Sequence, residues 1–169
     1  VSRMWKGMAF LAIIAVPASL LRSLQTGWLH IYSFHVVVGV FIASVYLLRH
    51  RLSYQAKSIL LITLFISIGA IGLIALGLLG AGVWWLVVSS LLFYILYSIR
   101  LGLISVFFTM TFTVICGALY THEVFTLPVD ANQYITSFSS WVSLLVAITL
   151  MPLVVFQAIS VYQDSILIL

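Results

Sequence analysis

Histidine is the side chain whose ordinary titration falls in the physiological range, and His35 stands inside a long, uncharged, apolar stretch of this sequence. At helical spacing it shares a face with Trp28, Tyr32, Gly39, Ala43 and Tyr46, while Val36, Val37, Val38, Val40 and Phe41 cover the rest of the helix. It lies about 10 Å along that helix from Trp28, and no other acid or base sits so deep in an apolar run. Two kinds of chemistry suit a group so placed. A neutral imidazole can hydrogen-bond a Tyr, Ser or Thr of a neighbouring helix and hold an assembly together, or the ring can meet a ligand or a proton and report it.

Other chemistry finds little support. His30 and His35 are about 140° apart round a helix, so they cannot chelate one ion as an i, i+4 pair does, and His122 reaches them only through tertiary folding. There is no Gly-rich phosphate loop, no H-E-x-x-H and no pair of carboxylates within the apolar runs; Glu123, Asp130 and Asp164 all lie outside them. Cys116 is the single cysteine, which rules out an internal disulfide and a thiolate metal site. The seven basic residues are scattered and form no patch for nucleic acid. We therefore expect no catalytic residue, no metal and no cofactor in this segment.

The elements that position His35 follow from the composition. Of 169 residues 64% are hydrophobic and 6% charged, with a mean hydropathy of +1.31, against about 25% charged in soluble domains. Apolar stretches of about 20 residues recur along the chain, each long enough for a hydrocarbon core of about 30 Å. They place helices at 5–21, 28–48, 58–79, 83–99, 101–120 and 138–161. The expected fold is an all-α membrane protein, a six-transmembrane-helix bundle whose solvent partner is the lipid bilayer. The breaks at Gly80–Gly82 and Arg100 are slight, so five spans remain open; an unbroken helix over 58–120, however, would run about 95 Å. The first span has no small-residue cleavage site after it and is retained.

Charge sets the orientation. With the N-terminus inside, Arg3, Lys6, Arg49, Arg51, Lys57 and Arg100 face the cytoplasm and Arg22 alone lies outside. Both termini are then cytoplasmic and the loop over 121–137 is external. Trp28, Trp84, Trp85, Tyr120, Tyr134 and Trp141 mark the outer interface, and Trp5, Tyr46, Tyr54 and Tyr97 the inner one.

Helices in lipid meet through small residues and hydroxyls. Gly102, Ser105, Thr109, Thr113, Cys116 and Tyr120 form such a stripe on the fifth span, Thr63, Ser67, Ala70, Gly77 and Ala81 one on the third, interrupted by Ile74, and Ala12, Ala15 and Ser19 one on the first. In the sixth span Pro152 removes a backbone hydrogen bond and is a candidate signal-transmission hinge. Beyond it Ile159, Tyr162, Ile166 and Leu169 keep an a/d spacing, so 162–169 reads as the start of a cytoplasmic signalling helix. The chain reads as part of something longer.

The run LLRHRLSYQAKSIL from Leu47 to Leu60, GLLGAG from Gly77 to Gly82 and YITSFSSW from Tyr134 to Trp141 resemble the multi-spanning N-terminal membrane sensor domain of bacterial histidine kinases and GGDEF (diguanylate cyclase) receptors. The resemblance rests on layout and covers most of the chain. It implies a sensor in the bacterial inner membrane, a homodimer, output through the last helix, and a kinase or cyclase domain downstream, the segment itself being no enzyme. The arrangement also resembles the six-span domains of quorum-sensing kinases.

The leading expectation is thus a sensory input domain that detects a small apolar or amphipathic ligand, or a membrane property, in a cavity open to the outside. Trp28, Tyr32, His35, Tyr120 and Trp141 are the expected ligand-binding residues, capped by Phe125, Leu127, Pro128 and Val129. Two other classes stay open: a small multi-pass transporter or channel subunit, and a haem-binding membrane subunit.

Overall fold

Short oxygen-bearing side chains start several of the helices by accepting from backbone N–H groups that have no partner in a first turn. Ser53 Oγ accepts from Ala56 N at 3.1 Å, Ser98 Oγ from Leu101 N at 3.3 Å, and Asp130 Oδ1 from Gln133 N at 2.8 Å. The structure, a computed structural model, describes residues 1–166. Its elements in order are α1 (Ser2–Leu20), α2 (Ser23–Thr26), α3 (His30–Leu48), α4 (Tyr54–Leu76), α5 (Gly82–Leu96), α6 (Ile99–Thr121), α7 (Ala131–Thr136) and α8 (Phe138–Ile166), with a 3-10 turn at Gly77–Leu79. No strand occurs among the described residues.

Five helices are long and apolar enough to cross a membrane: Ser2–Leu20, His30–Leu48, Tyr54–Leu79, Ile99–Thr121 and Phe138–Ser160. The helix expected over 83–99 forms as α5, but its 15 residues rise only about 22 Å, less than the hydrocarbon thickness of about 30 Å. The slight breaks on either side of it are real turns. Gly77 ends α4 with φ +52°, where a Cβ would also meet the Tyr120 ring at 3.3 Å, and Ser98 is fully extended between α5 and α6. Trp28, expected inside the second span, lies before α3, because Gly27 at φ 72° and the extended Leu29 delay the helix to His30. The last helix runs without interruption through Pro152 to Ile166. Leu169 of the a/d series lies outside the described residues.

Helix α5 is the hub, packed against α4, α6 and α8; α1 lies between α3 and α8, and α3 also touches α4. The α4–α5 hairpin closes backbone to backbone. A Cβ on Gly69 would stand 2.7 Å from Leu86 Cγ and 2.9 Å from the Gly82 carbonyl oxygen, and one on Gly72 would stand 3.3 Å from Gly82 Cα. The close face of α4 therefore carries Gly69, Gly72, Leu73 and Leu76. Of the seam expected for the third span, Thr63 is exposed, which corrects its start, while Ser67, Ala70 and Ala81 are half-buried, Gly77 is buried and Ile74 is exposed as its interruption. The stripe on α6 is as expected: Gly102 and Cys116 are buried, Ser105, Thr109, Thr113 and Tyr120 half-buried, and Ser105 Oγ lies 3.0 Å from Ser90 Oγ on α5.

The two ends of the bundle differ. One is basic: Trp5 Nε1 donates to the Lys57 carbonyl at 3.1 Å and Lys57 Nζ to Ser2 Oγ at 2.8 Å, and Gly7 of α1 abuts the side chain of Gln157 on α8. The main apolar core fills this half, with Met4, Trp5, Ile42, Leu61, Phe65, Leu92, Val154 and Ala158 buried together. The opposite end carries α2, the turn over 77–82, α7 and Arg22. There the helices separate.

Candidate functional site

Small side chains make the space. Ala12, Ala15 and Ser19 on α1 face Gly72 on α4 and Ser143 and Ala147 on α8, and where no long side chain fills the gap a cavity of about 160 Å³ remains. Its walls come from α1, α3, α4, α5 and α8, its floor from Met8, Ile42, Phe65 and Val154 at the edge of the core. Trp85, stacked on Phe65 with ring centroids 5.4 Å apart, forms part of the wall. Most of the lining is apolar, as ligand pockets are.

Few polar groups interrupt it. His35 lines the cavity and its Nδ1 is hydrogen-bonded to Ser19 Oγ, joining α3 to α1. Ser143 Oγ, at 3.5 Å, donates to the Ala18 carbonyl and ties α8 to α1. Arg22 closes the upper edge. A second cavity of about 350 Å³ continues beyond it, bordered by Trp84, Tyr134, Ser140 and Trp141, and the two share Arg22, Gly80, Ala81 and Ser143 in their walls.

Arg22 and Tyr134 form a pair at that junction. The guanidinium carbon lies 5.2 Å from the Tyr134 ring centroid, a cation–π geometry. Arg22 Nε and the Tyr134 hydroxyl are both buried without a hydrogen-bond partner. Burial pushes the Tyr134 phenol above its usual range, with Arg22 pulling the other way. Glu123 and Asp130 are exposed and border neither cavity. Among the described residues no carboxylate neutralises Arg22.

The expected site residues separate. His35 lines the first cavity and Trp141 the second, where Trp141 Nε1 donates to the Ile135 carbonyl at 2.8 Å. Trp28, Tyr32 and Tyr120 border neither. Trp28 is exposed and donates to Ser33 Oγ. Tyr32 is buried among Ile31 and Leu76, its hydroxyl 2.6 Å from Thr26 Oγ1, so it fastens α2 to α3. Tyr120 sits on α6, outside the ring of helices round the cavity, and donates to the Ile74 carbonyl at 2.7 Å. On the face expected for α3, Ala43 is exposed, while Val38 turns inward to the cavity.

The expected cap also shifts. Phe125 packs beside Leu73, Leu86 and Cys116, and the residues that roof the second cavity are Tyr134 and Ile135 of α7. Pro152 lies on the exposed side of α8 between Leu150 and Val154, which both line the first cavity. Arg22, Ser19, Ser143 and Trp85 were not among the expected site residues. Arg22 carried a usable signal, being the lone base at its end of the chain's topology, yet it was read only for orientation.

Comparison with curated proteins and with solved structures returns no match. A family model, described as MASE11, matches residues 1–167.

Proposed function

This chain belongs to the MASE11 family, whose membrane-associated sensor domains are N-terminal multi-spanning input domains of histidine kinases and GGDEF proteins, and from that premise we propose how it senses. A small apolar or amphipathic ligand occupies the cavity between α1, α3, α4, α5 and α8, and the receptor reads its presence through α8. One observation carries this reading: the helix that ends the described chain is itself a wall of the cavity, through Ser143, Ala147, Leu150 and Val154.

Occupancy has a route to the output. Pro152 has no N–H to give the Ile148 carbonyl, so α8 is softest between its two cavity-lining turns. Below that point Val154 and Ala158 are buried in the core and Gln157 meets Gly7. Pressure on Leu150 is thereby converted into a tilt of the lower helix against α1. In this reading α5 is a short sixth span packed against α4, α6 and α8 with one face, Trp84, Val87, Leu91 and Tyr94, exposed, both termini lie in the cytoplasm of a bacterium, the cavity end faces outward across the inner membrane, and the receptor works as a homodimer with a kinase or cyclase downstream.

Filling the cavity tests it. In the full-length receptor, Ala15→Phe and Ala147→Phe should each change autophosphorylation or cyclic dinucleotide synthesis by at least about fivefold, in the same direction, the scale of ordinary allosteric coupling. Wild-type output from both filled variants would refute the reading, and ion flux through proteoliposomes of this domain would favour the transporter class.

A further inference from the structure

We infer that the ligand is an amphipathic anion, its acidic head bound by Arg22 and Tyr134 where the two cavities meet and its apolar chain lying in the first, between α1, α3, α4, α5 and α8. The inference rests on the sensory reading above and adds the chemical class that the site selects.

The head is assigned by what is missing. A guanidinium is charged at every relevant pH and offers donors in a fixed fork that matches a carboxylate or phosphate. Arg22 has only the face of the Tyr134 ring as a neighbour of opposite electrostatic character, and its Nε donor is left buried and unmatched. The buried Tyr134 hydroxyl, on the same pair of side chains, has the Ser140 hydroxyl beside its oxygen but no acceptor for its own proton. Two unmatched donors beside one unneutralised cation ask for an acceptor that carries negative charge. Nothing else in either wall supplies one: Ser140 and Ser143 are neutral, and Glu123 and Asp130 lie elsewhere.

The tail is assigned by shape. From Arg22 the first cavity leads inward past Ala15 and Val38 to Phe65 and Val154. A dry apolar cavity of about 150 Å³ holds a molecule the size of benzene, so about 160 Å³ accommodates roughly six carbons. A medium-chain carboxylate fits both ends. His35 and Ser19 already satisfy each other on the wall and leave the chain an unbroken apolar path.

A fatty acid, an alkyl phosphate and an anionic lipid share this chemistry, and the source is separable. With the full-length receptor in zwitterionic phosphatidylcholine nanodiscs, ω-bromooctanoate should quench tryptophan emission saturably, because its bromine end comes to rest near Trp85, and Trp85→Phe should remove that component. The matching bromo-alcohol should bind about tenfold more weakly, and Arg22→Gln should weaken the acid by about tenfold while leaving the alcohol unchanged. Arg22→Lys keeps the charge and should restore most of the affinity; Tyr134→Phe, which keeps the ring, should cost the acid a few-fold. Thermal unfolding of each variant separates lost binding from lost fold. Competition by phosphatidylglycerol in the nanodisc would assign the head to a lipid, and competition by inorganic phosphate to a soluble anion.

Equal affinity for acid and alcohol, or unchanged binding of the acid by a folded Arg22→Gln variant, would overturn the inference while the sensory reading stands. No saturable quenching by either probe would also overturn it; wild-type output from both cavity-filling variants would then remove the sensory reading as well.

Discussion

The α4–α5–α6 side of this bundle and the α1–α3–α8 side are built by opposite means. On the first, glycine lets backbones touch: Gly69 and Gly72 against Gly82, and Gly102 against Tyr94, whose Cβ a methyl on Gly102 would approach to 2.8 Å. On the second, small side chains leave the space between Ala12, Ala15 and Ala147 unfilled, and it stays open. Close backbone contact leaves no alternative arrangement, whereas a half-empty interface tolerates more than one. The comparison assigns a fixed frame to one side and the adaptable part, where the proposed ligand would bind, to the other.

The largest effect should come from the frame. A methyl in Gly82→Ala would stand 2.7 Å from the Gly69 carbonyl oxygen and 2.9 Å from the Gly72 carbonyl carbon; both are backbone atoms that cannot rotate away, so a loss of about 3 kcal/mol is expected, read as a lower thermal midpoint in nanodiscs. Gly72→Ala, with its nearest contact at 3.3 Å, should lose about 1 kcal/mol. Equal losses would deny the seam its backbone-on-backbone geometry. Gly77→Ala should cost about 2 kcal/mol, because φ 52° with ψ −132° is a conformation that glycine alone adopts freely.

On the other side the same kind of change should be mild. Ala15→Phe adds a ring to existing space and should alter stability by less than about 1 kcal/mol, although it alters output. A loss as large as that of Gly82→Ala would erase the distinction between the two sides. Ser19→Ala removes the partner of His35 and should cost about 0.6 kcal/mol, the usual size of an interhelical hydrogen bond in lipid. Smallest of all, Trp28→Ala should stay within about 0.5 kcal/mol, because Trp28 is exposed, its indole donating to Ser33 and meeting the Tyr32 ring edge-on.

The sequence revealed these regions unequally, for a physical reason. In lipid both faces of a helix are apolar, so residue size and hydroxyls, not hydrophobicity, mark the protein side. On α6, an outer helix with one protein face, the stripe from Gly102 to Tyr120 was legible. On α4 it was not, because Ser67 and Ala70 offer a second small-residue row beside Gly69 and Gly72, and spacing cannot rank them. His35 stood out as an intramembrane base and does border the cavity. Tyr120 and Tyr32 looked equally suitable, but their hydroxyls serve helix joints at Ile74 and Thr26. The cavity itself is where helices fail to meet, which no single helix records, and Arg22 looked like one more interfacial charge until Tyr134 was found beneath it.

Spin-label distances test the central claim most directly. With buried Cys116 replaced by Ser, labels go on the exposed residues Ile13 of α1 and Ile148 of α8, or Ile66 of α4 and Leu91 of α5, each pair with and without Ala15→Phe. The account predicts that filling the cavity changes the α1–α8 distance distribution and leaves the α4–α5 distribution as it was. An α4–α5 distance that moves as much as α1–α8, or an α1–α8 distance that does not move, would contradict it.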